Sequence, residues 1–169
     1  IRNNLYRSLI VFIVIGLLFA PMPVSNLWWQ EAVNSGHTIL FVLLVFVIHE
    51  SLKSRLQFSG ILLRYAYVLL AGLMLGIVIE FLQVLVQREI SINDLYRNFV
   101  GIVAGICLLA AIDLKKSNKY RITTVVLIIG GIGCLSAGLT PLTQLSWHYI
   151  GRANAFPIIV DFNSNWISS

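Results

Sequence analysis

About five stretches of this chain are apolar over a length that can cross a bilayer, and this limits it more than any other feature to one kind of fold. Hydrocarbon offers a backbone no hydrogen-bonding partner, so segments of this kind satisfy their own amides as helices. They fall at roughly Leu5–Ala20, His37–Leu52, Ile61–Val86, Leu95–Ile112 and Ile122–Leu139. The expected class is all-α: a polytopic transmembrane helix bundle of about five spans. Composition agrees, with 58% hydrophobic residues, 11% charged and a mean hydropathy of +0.86. A soluble domain carries about 25% charged residues.

The first span stops at Pro21-Met22-Pro23, since proline breaks a helix and turns the preceding residue away from it. Arg2 and Arg7 before it resemble the positive region of a signal peptide, but no A-x-A-like cleavage site follows, so it reads as a retained anchor. The chain opens on Ile1, which reads as a piece of a longer protein. The second span is the weakest, short and ending in His49-Glu50, with Lys53 and Arg55 able to snorkel to the interface. Trp28 and Trp29 are expected in the loop before it, at the depth of an aromatic belt.

The net charge of +5 is spread over short loops rather than gathered in one patch, which argues against nucleic acid as a partner. It is a topology signal instead. Arg2, Arg7, Lys53, Arg55, Arg64, Lys115, Lys116, Lys119 and Arg121 fall on one side of the membrane, and Arg88, Arg97 and Arg152 on the other. The positive-inside rule then makes the N-terminus cytoplasmic and, after five spans, the C-terminus extracytoplasmic, in a bacterial cytoplasmic (inner) membrane. Residues 1–139 form the membrane domain in this reading. From Thr140 the chain becomes more polar, and PIIVDF reads as a short strand. Residues 140–169 are therefore expected to start an extracytoplasmic, β-rich module, with a disordered tail as the plainer alternative.

Two apolar segments carry polar stripes. One runs Gly72, Gly76, Glu80, Gln83; the other runs Asp94, Asn98, Gly101, Gly105. Steps of three and four residues put each set on one helix face. A carboxylate at mid-bilayer costs about 2.5–3.5 kcal/mol on insertion scales, so Glu80 calls for a reason. The short connection makes these two helices antiparallel neighbours. The glycines are read as the packing face that lets the two backbones approach. Glu80, Gln83, Asp94 and Asn98 would then cluster near the outer end, with Arg88 reaching back toward the carboxylates. Ser91-x2-Asp94 also fits plain helix capping, and Asn98 fits a structural bridge. His37, on the outer side, is a further candidate. His49 lies at the inner end, and His148 is expected to face solvent. No spacing specifies a metal, no cofactor is implied, and Cys107 and Cys134 read as small buried hydrophobes.

The order Glu80-x2-Gln83-x4-Arg88-x2-Ser91-x2-Asp94-x3-Asn98-x2-Gly101-x3-Gly105 resembles the VanZ-like family of bacterial membrane proteins. His37, in GHTILFVLLV, looks like that family's histidine at the start of the second span. The resemblance covers residues 5–112, with 122–139 an added span. It implies an envelope protein of a family named for glycopeptide (teicoplanin) resistance, and some members look to be followed by a secreted β-rich module. It does not supply a reaction.

Four functions compete on these residues. In the leading one, the polar cluster recognises a head group in the outer leaflet, on a lipid-linked cell-wall precursor or a lipophilic glycopeptide. The second is an intramembrane enzyme acting on such a substrate, with Glu80 as acid or base and Asp94 its partner. The third is a transporter or channel subunit, and the fourth a membrane anchor for the C-terminal module. Membrane lipid is a partner under each, and the sequence leaves the oligomeric state open.

Overall fold

The computed structural model describes residues 27–53, 60–84, 91–115 and 120–159, together with Ser8, Val11, Phe12 and Ile15. The continuous described stretches hold four helices: α1 (Leu27–Lys53), α2 (Ile61–Val84), α3 (Ile92–Leu114) and α4 (Arg121–Ile159). All four are long and apolar enough to cross a membrane. The first expected span lies outside the described residues except for the four isolated positions, which are helical.

Pairings along the chain fix the directions. Gly72 faces Ile102, Gly76 faces Asn98, and the Ser91 amide bonds Glu80, so α2 and α3 are antiparallel. His37 pairs with Asn98, and Gly105 abuts Val45, so α1 and α3 run parallel. Gly138 abuts Thr38, and Trp28 bonds Ser146, so α4 is antiparallel to α1. One end of the bundle therefore carries the start of α1, the finish of α2 and the start of α3. We call it the Glu31 end, and the opposite one the His49 end.

α3 is the central element and packs against α1, α2 and α4. Its start is fixed by Ser91, an N-cap in extended conformation whose hydroxyl accepts from the Asp94 amide at 3.3 Å. That satisfies one of the amides a helix start leaves open. The core between α1, α2 and α3 holds Leu40, Phe41, Val45, Ile48, Val68, Ile79, Ile102 and Leu109. On the other side of α2, Leu62, Leu70, Met74, Ile77 and Phe81 are exposed, as are Ile122, Val126, Ile129 and Ile132 on α4. In water such faces would be a liability, whereas against acyl chains they cost nothing.

Several boundaries move relative to the sequence reading. α1 starts at Leu27, so Trp28 and Trp29 lie in its first turn rather than in a loop. α4 does not stop at Leu139 but continues to Ile159, 39 residues in all, or about 58 Å at 1.5 Å per residue. It continues through Pro141. Hydroxyls around the proline bond to carbonyls of the preceding turns: Ser136 to Ile132, Thr140 to Ser136 and Thr143 to Thr140. Pro157–Ile159, expected to open a strand, are helical, and no strand occurs among the described residues. A strand needs a partner to bond, whereas a helix already nucleated extends at one bond per residue. The remaining residues of that segment lie outside the described part.

The glycines also pair differently from expectation. Gly72 does face α3, where a Cβ would lie 3.2 Å from Ile102. Gly101 and Gly105, however, face α1. A Cβ on Gly101 would stand 2.4 Å from the Thr38 carbonyl oxygen, and one on Gly105 2.9 Å from Val45 Cβ. Gly76 lies against Phe41 and Asn98 at ordinary contact distance. The close approach serves the parallel α1–α3 pair more than the hairpin that the stripes first suggest.

Candidate functional site

The polar side chains of α1, α2 and α3 converge at the Glu31 end. Glu80 and Gln83 occupy the buried face of α2 beside Ile79, just before that helix finishes, and are 2% and 1% exposed. Asp94, Arg97 and Asn98 occupy the buried face at the start of α3. α1 contributes Glu31, Asn34, Ser35, His37 and Thr38.

The chain's own bonds tie part of this set together. Ser91 N–H donates to Glu80 Oε2 at 3.4 Å, so the Glu80 carboxylate helps hold the start of α3. The Ser91 hydroxyl meanwhile caps that helix through the Asp94 amide. His37 Nδ1 and Asn98 Oδ1 stand 3.0 Å apart, bridging α1 to α3. With the oxygen of Asn98 as acceptor, this contact places the proton on His37 Nδ1. Thr38 donates to the Arg97 carbonyl at 3.5 Å.

The cation at the centre of the site is Arg97. It is 8% exposed, and its guanidinium donates to Asp94 Oδ1 at 3.3 Å and, by a shorter bond, to Glu31 Oε1. Buried charges need partners of this kind. Arg88, expected in that role, lies outside the described residues. Of the other candidates, Glu80, Gln83, Ser91, Asp94, Asn98 and His37 all come to this end of the bundle.

Sequence reasoning missed Glu31, Asn34, Ser35 and Thr38 and treated Arg97 as a loop charge. A signal existed. Glu31, Asn34, Ser35 and Thr38 follow one another at i, i+3, i+4 and i+7, a third polar stripe. It was hidden by starting the second span at His37. Arg97 likewise sits one turn after Asp94, on the same face.

Some polar atoms in this region have no bond among the described residues. Both the oxygen and the nitrogen of the Gln83 carboxamide are buried with no hydrogen-bond partner among the described residues, as are Asn98 Nδ2, Ser35 Oγ and Asn34 Oδ1. Each such atom costs about 1–3 kcal/mol of desolvation. As a set they can both donate to and accept from a polar group.

A second cluster stands at the opposite end. Tyr65 donates to Asp113 Oδ2 at 2.8 Å, and its ring stacks on His49 with centroids 6.0 Å apart. His49 Nε2 lies 4.0 Å from Asp113 Oδ2. These contacts tie α1, α2 and α3 together away from the candidate site, as the position of His49 in the sequence led us to expect.

The family model described as VanZ/LLP1 matches residues 2–113, which include α1, α2, nearly all of α3 and every residue of the polar cluster. No curated protein and no solved structure matches the chain. The chain belongs to the VanZ/LLP1 family and is a multi-pass membrane protein.

Proposed function

We propose that this VanZ/LLP1-family protein recognises the polar head of a membrane-anchored envelope component at the Glu31 end of its bundle. The ligand class is a lipid-linked cell-wall precursor or a lipophilic glycopeptide, partly embedded in the same leaflet. The observation that carries this reading is Gln83. Its carboxamide is 1% exposed and makes no hydrogen bond among the described residues. Buried polar groups are almost always bonded, so one retained without a bond fits a group kept for a ligand. Asn98 Nδ2 and Ser35 Oγ repeat the pattern on the two neighbouring helices.

The arrangement suits recognition. A few convergent polar groups in an apolar setting are how small-ligand sites are built. Charge distribution supports an extracytoplasmic placement. Lys53, Arg64, Lys115 and Arg121 cluster at the His49 end, against Arg97 and Arg152 toward the other. The positive-inside rule then puts the His49 end in the cytoplasm of a bacterial cell and the Glu31 end in the outer leaflet of its cytoplasmic membrane.

The test is complementation of a strain lacking the gene, scored by susceptibility to lysozyme and to cell-wall-directed drugs. Gln83→Leu and Glu80→Gln should reach wild-type levels in the membrane yet fail to complement. The Glu80→Gln side chain keeps an oxygen for the Ser91 amide, so its failure would not reflect a lost cap. Full complementation by both variants would rule the reading out.

A further inference from the structure

α4 is longer than the bundle it belongs to. The bond from Trp28 Nε1 to Ser146 Oγ, at 2.9 Å, sets the first turn of α1 level with Ser146. α4 then runs on to Ile159. From Trp147, itself 75% exposed, through Arg152, and again at Asn154, its residues are exposed. Among the described residues, the packed bundle therefore ends near Trp147 while the helix continues.

The three tryptophans among the described residues lie at this level. Trp28 and Trp29 are exposed on the first turn of α1, and Trp147 is exposed on α4 with Tyr149 beside it. Such rings have an apolar body and a polar tip, which suits them to the layer between acyl chains and water. They continue a face already turned to acyl chains, since Val126, Ile129 and Ile132 are exposed further down α4. Arg152 and Asn154 follow on the other side of the rings. Apolar, then aromatic, then polar is the order that a bilayer boundary imposes.

The length of α4 agrees. Trp147 lies 26 residues after Arg121, about 39 Å at 1.5 Å per residue. A bilayer measures about 30 Å across its hydrocarbon and about 40–45 Å with its head groups. With Lys115, Tyr120 and Arg121, all exposed, in the head-group layer at the His49 end, Trp147 falls in the head-group layer opposite. The 12 residues that α4 has left, about 18 Å of helix, have no membrane to cross.

We propose that Trp28, Trp29, Trp147 and Tyr149 form a collar that binds the head-group layer of one leaflet, and that α4 leaves the membrane there and carries residues 148–159 into water. The partner is the lipid surface itself. The ring bodies rest on the first carbons of the acyl chains, and Arg152, one turn beyond Tyr149, meets the phosphates. The collar goes beyond the recognition function proposed above and gives its site a depth. Glu31 lies one turn inside Trp28, so the polar cluster begins just beneath the head groups rather than at mid-bilayer.

The test uses the full chain in phosphatidylcholine nanodiscs, with its tryptophans reduced to one at a time. Trp28→Phe, Trp29→Phe and Trp166→Phe leave Trp147 as the sole tryptophan, and a parallel chain keeps Trp29 alone. Adding Trp147→Phe together with Ile132→Trp or Asn154→Trp moves the probe along the exposed side of α4. The quenchers are lipids brominated near the carbonyl end of the acyl chain, lipids brominated near its methyl end, and acrylamide in water. Trp147 and Trp29 should be quenched most by the shallow bromines, and the Ile132→Trp probe by the deep ones. The Asn154→Trp probe should respond to acrylamide and to neither lipid. Quenching of that probe by either lipid would place the end of α4 in the membrane and overturn the proposal, as would strongest quenching of Trp147 or Trp29 by the deep bromines. Depth is read without regard to which leaflet is the outer one, so the two readings fail separately. Shallow quenching at Trp147 alongside full complementation by Gln83→Leu and Glu80→Gln upholds the collar and sinks the proposed function. Deep quenching alongside failed complementation does the opposite.

Discussion

Arg97 organises the site at the scale of single residues. It joins Glu31 on α1 to Asp94 on its own helix, and its carbonyl accepts from Thr38. Removing one member of a buried ion pair leaves the rest buried and uncompensated, a loss of about 3–5 kcal/mol. Arg97→Met should therefore lower the denaturant midpoint in detergent sharply, and adding Glu31→Gln should recover part of that loss. Equal midpoints for wild type and Arg97→Met would mean the guanidinium holds nothing. The stripe of Asp94 and Asn98 was legible in the sequence, since three- and four-residue steps survive in any helix. Glu31, Asn34 and Ser35 were not read, because in composition a polar stripe inside a membrane bundle looks like a loop. It is tolerated here because two of its members bond across helices, Glu31 to Arg97 and Thr38 to the Arg97 carbonyl.

Between elements, the glycines decide how close the backbones come. The expected Gly72, Gly76, Gly101 and Gly105 stripes exist, but the last two face α1, which the spacing alone could not reveal. Periodicity gives the face of a helix and not the neighbour it meets. A fifth position, Gly138, sets the α1–α4 contact and stood out in no pattern. Gly101→Ala and Gly138→Ala each place a Cβ within 2.4 Å of Thr38 atoms, against 3.6 Å to the nearest atom for Gly76→Ala. Overpacking of this kind costs about 1–3 kcal/mol. Thermal unfolding in detergent should show losses for Gly101→Ala and Gly138→Ala and little change for Gly76→Ala. The reach of α4 was also hidden. Pro141 and the polar residues after it signal a stop, yet the helix continues through them to Ile159.

Across the whole molecule, the two ends of the bundle differ in kind. At the His49 end, Tyr65, Asp113 and His49 lie against one another and tie three helices. At the Glu31 end, ion pairs and a cap stand beside buried amides that have no partner among the described residues. Both ring nitrogens of His49 also lack a hydrogen bond among the described residues, but each stands within 4.0 Å of a carboxylate, so the ligand is expected at the amides of the Glu31 end. Apolar segments of spanning length made the membrane fold readable without a structure. The amides without a partner among the described residues were not readable, because a glutamine looks the same in a sequence whatever it bonds. The most direct measurement is native mass spectrometry of the protein extracted from its own membranes, comparing wild type with Gln83→Leu at matched folded yield. The account predicts that wild type retains an amphiphile of discrete mass and that Gln83→Leu releases it. Identical spectra from the two proteins would contradict it.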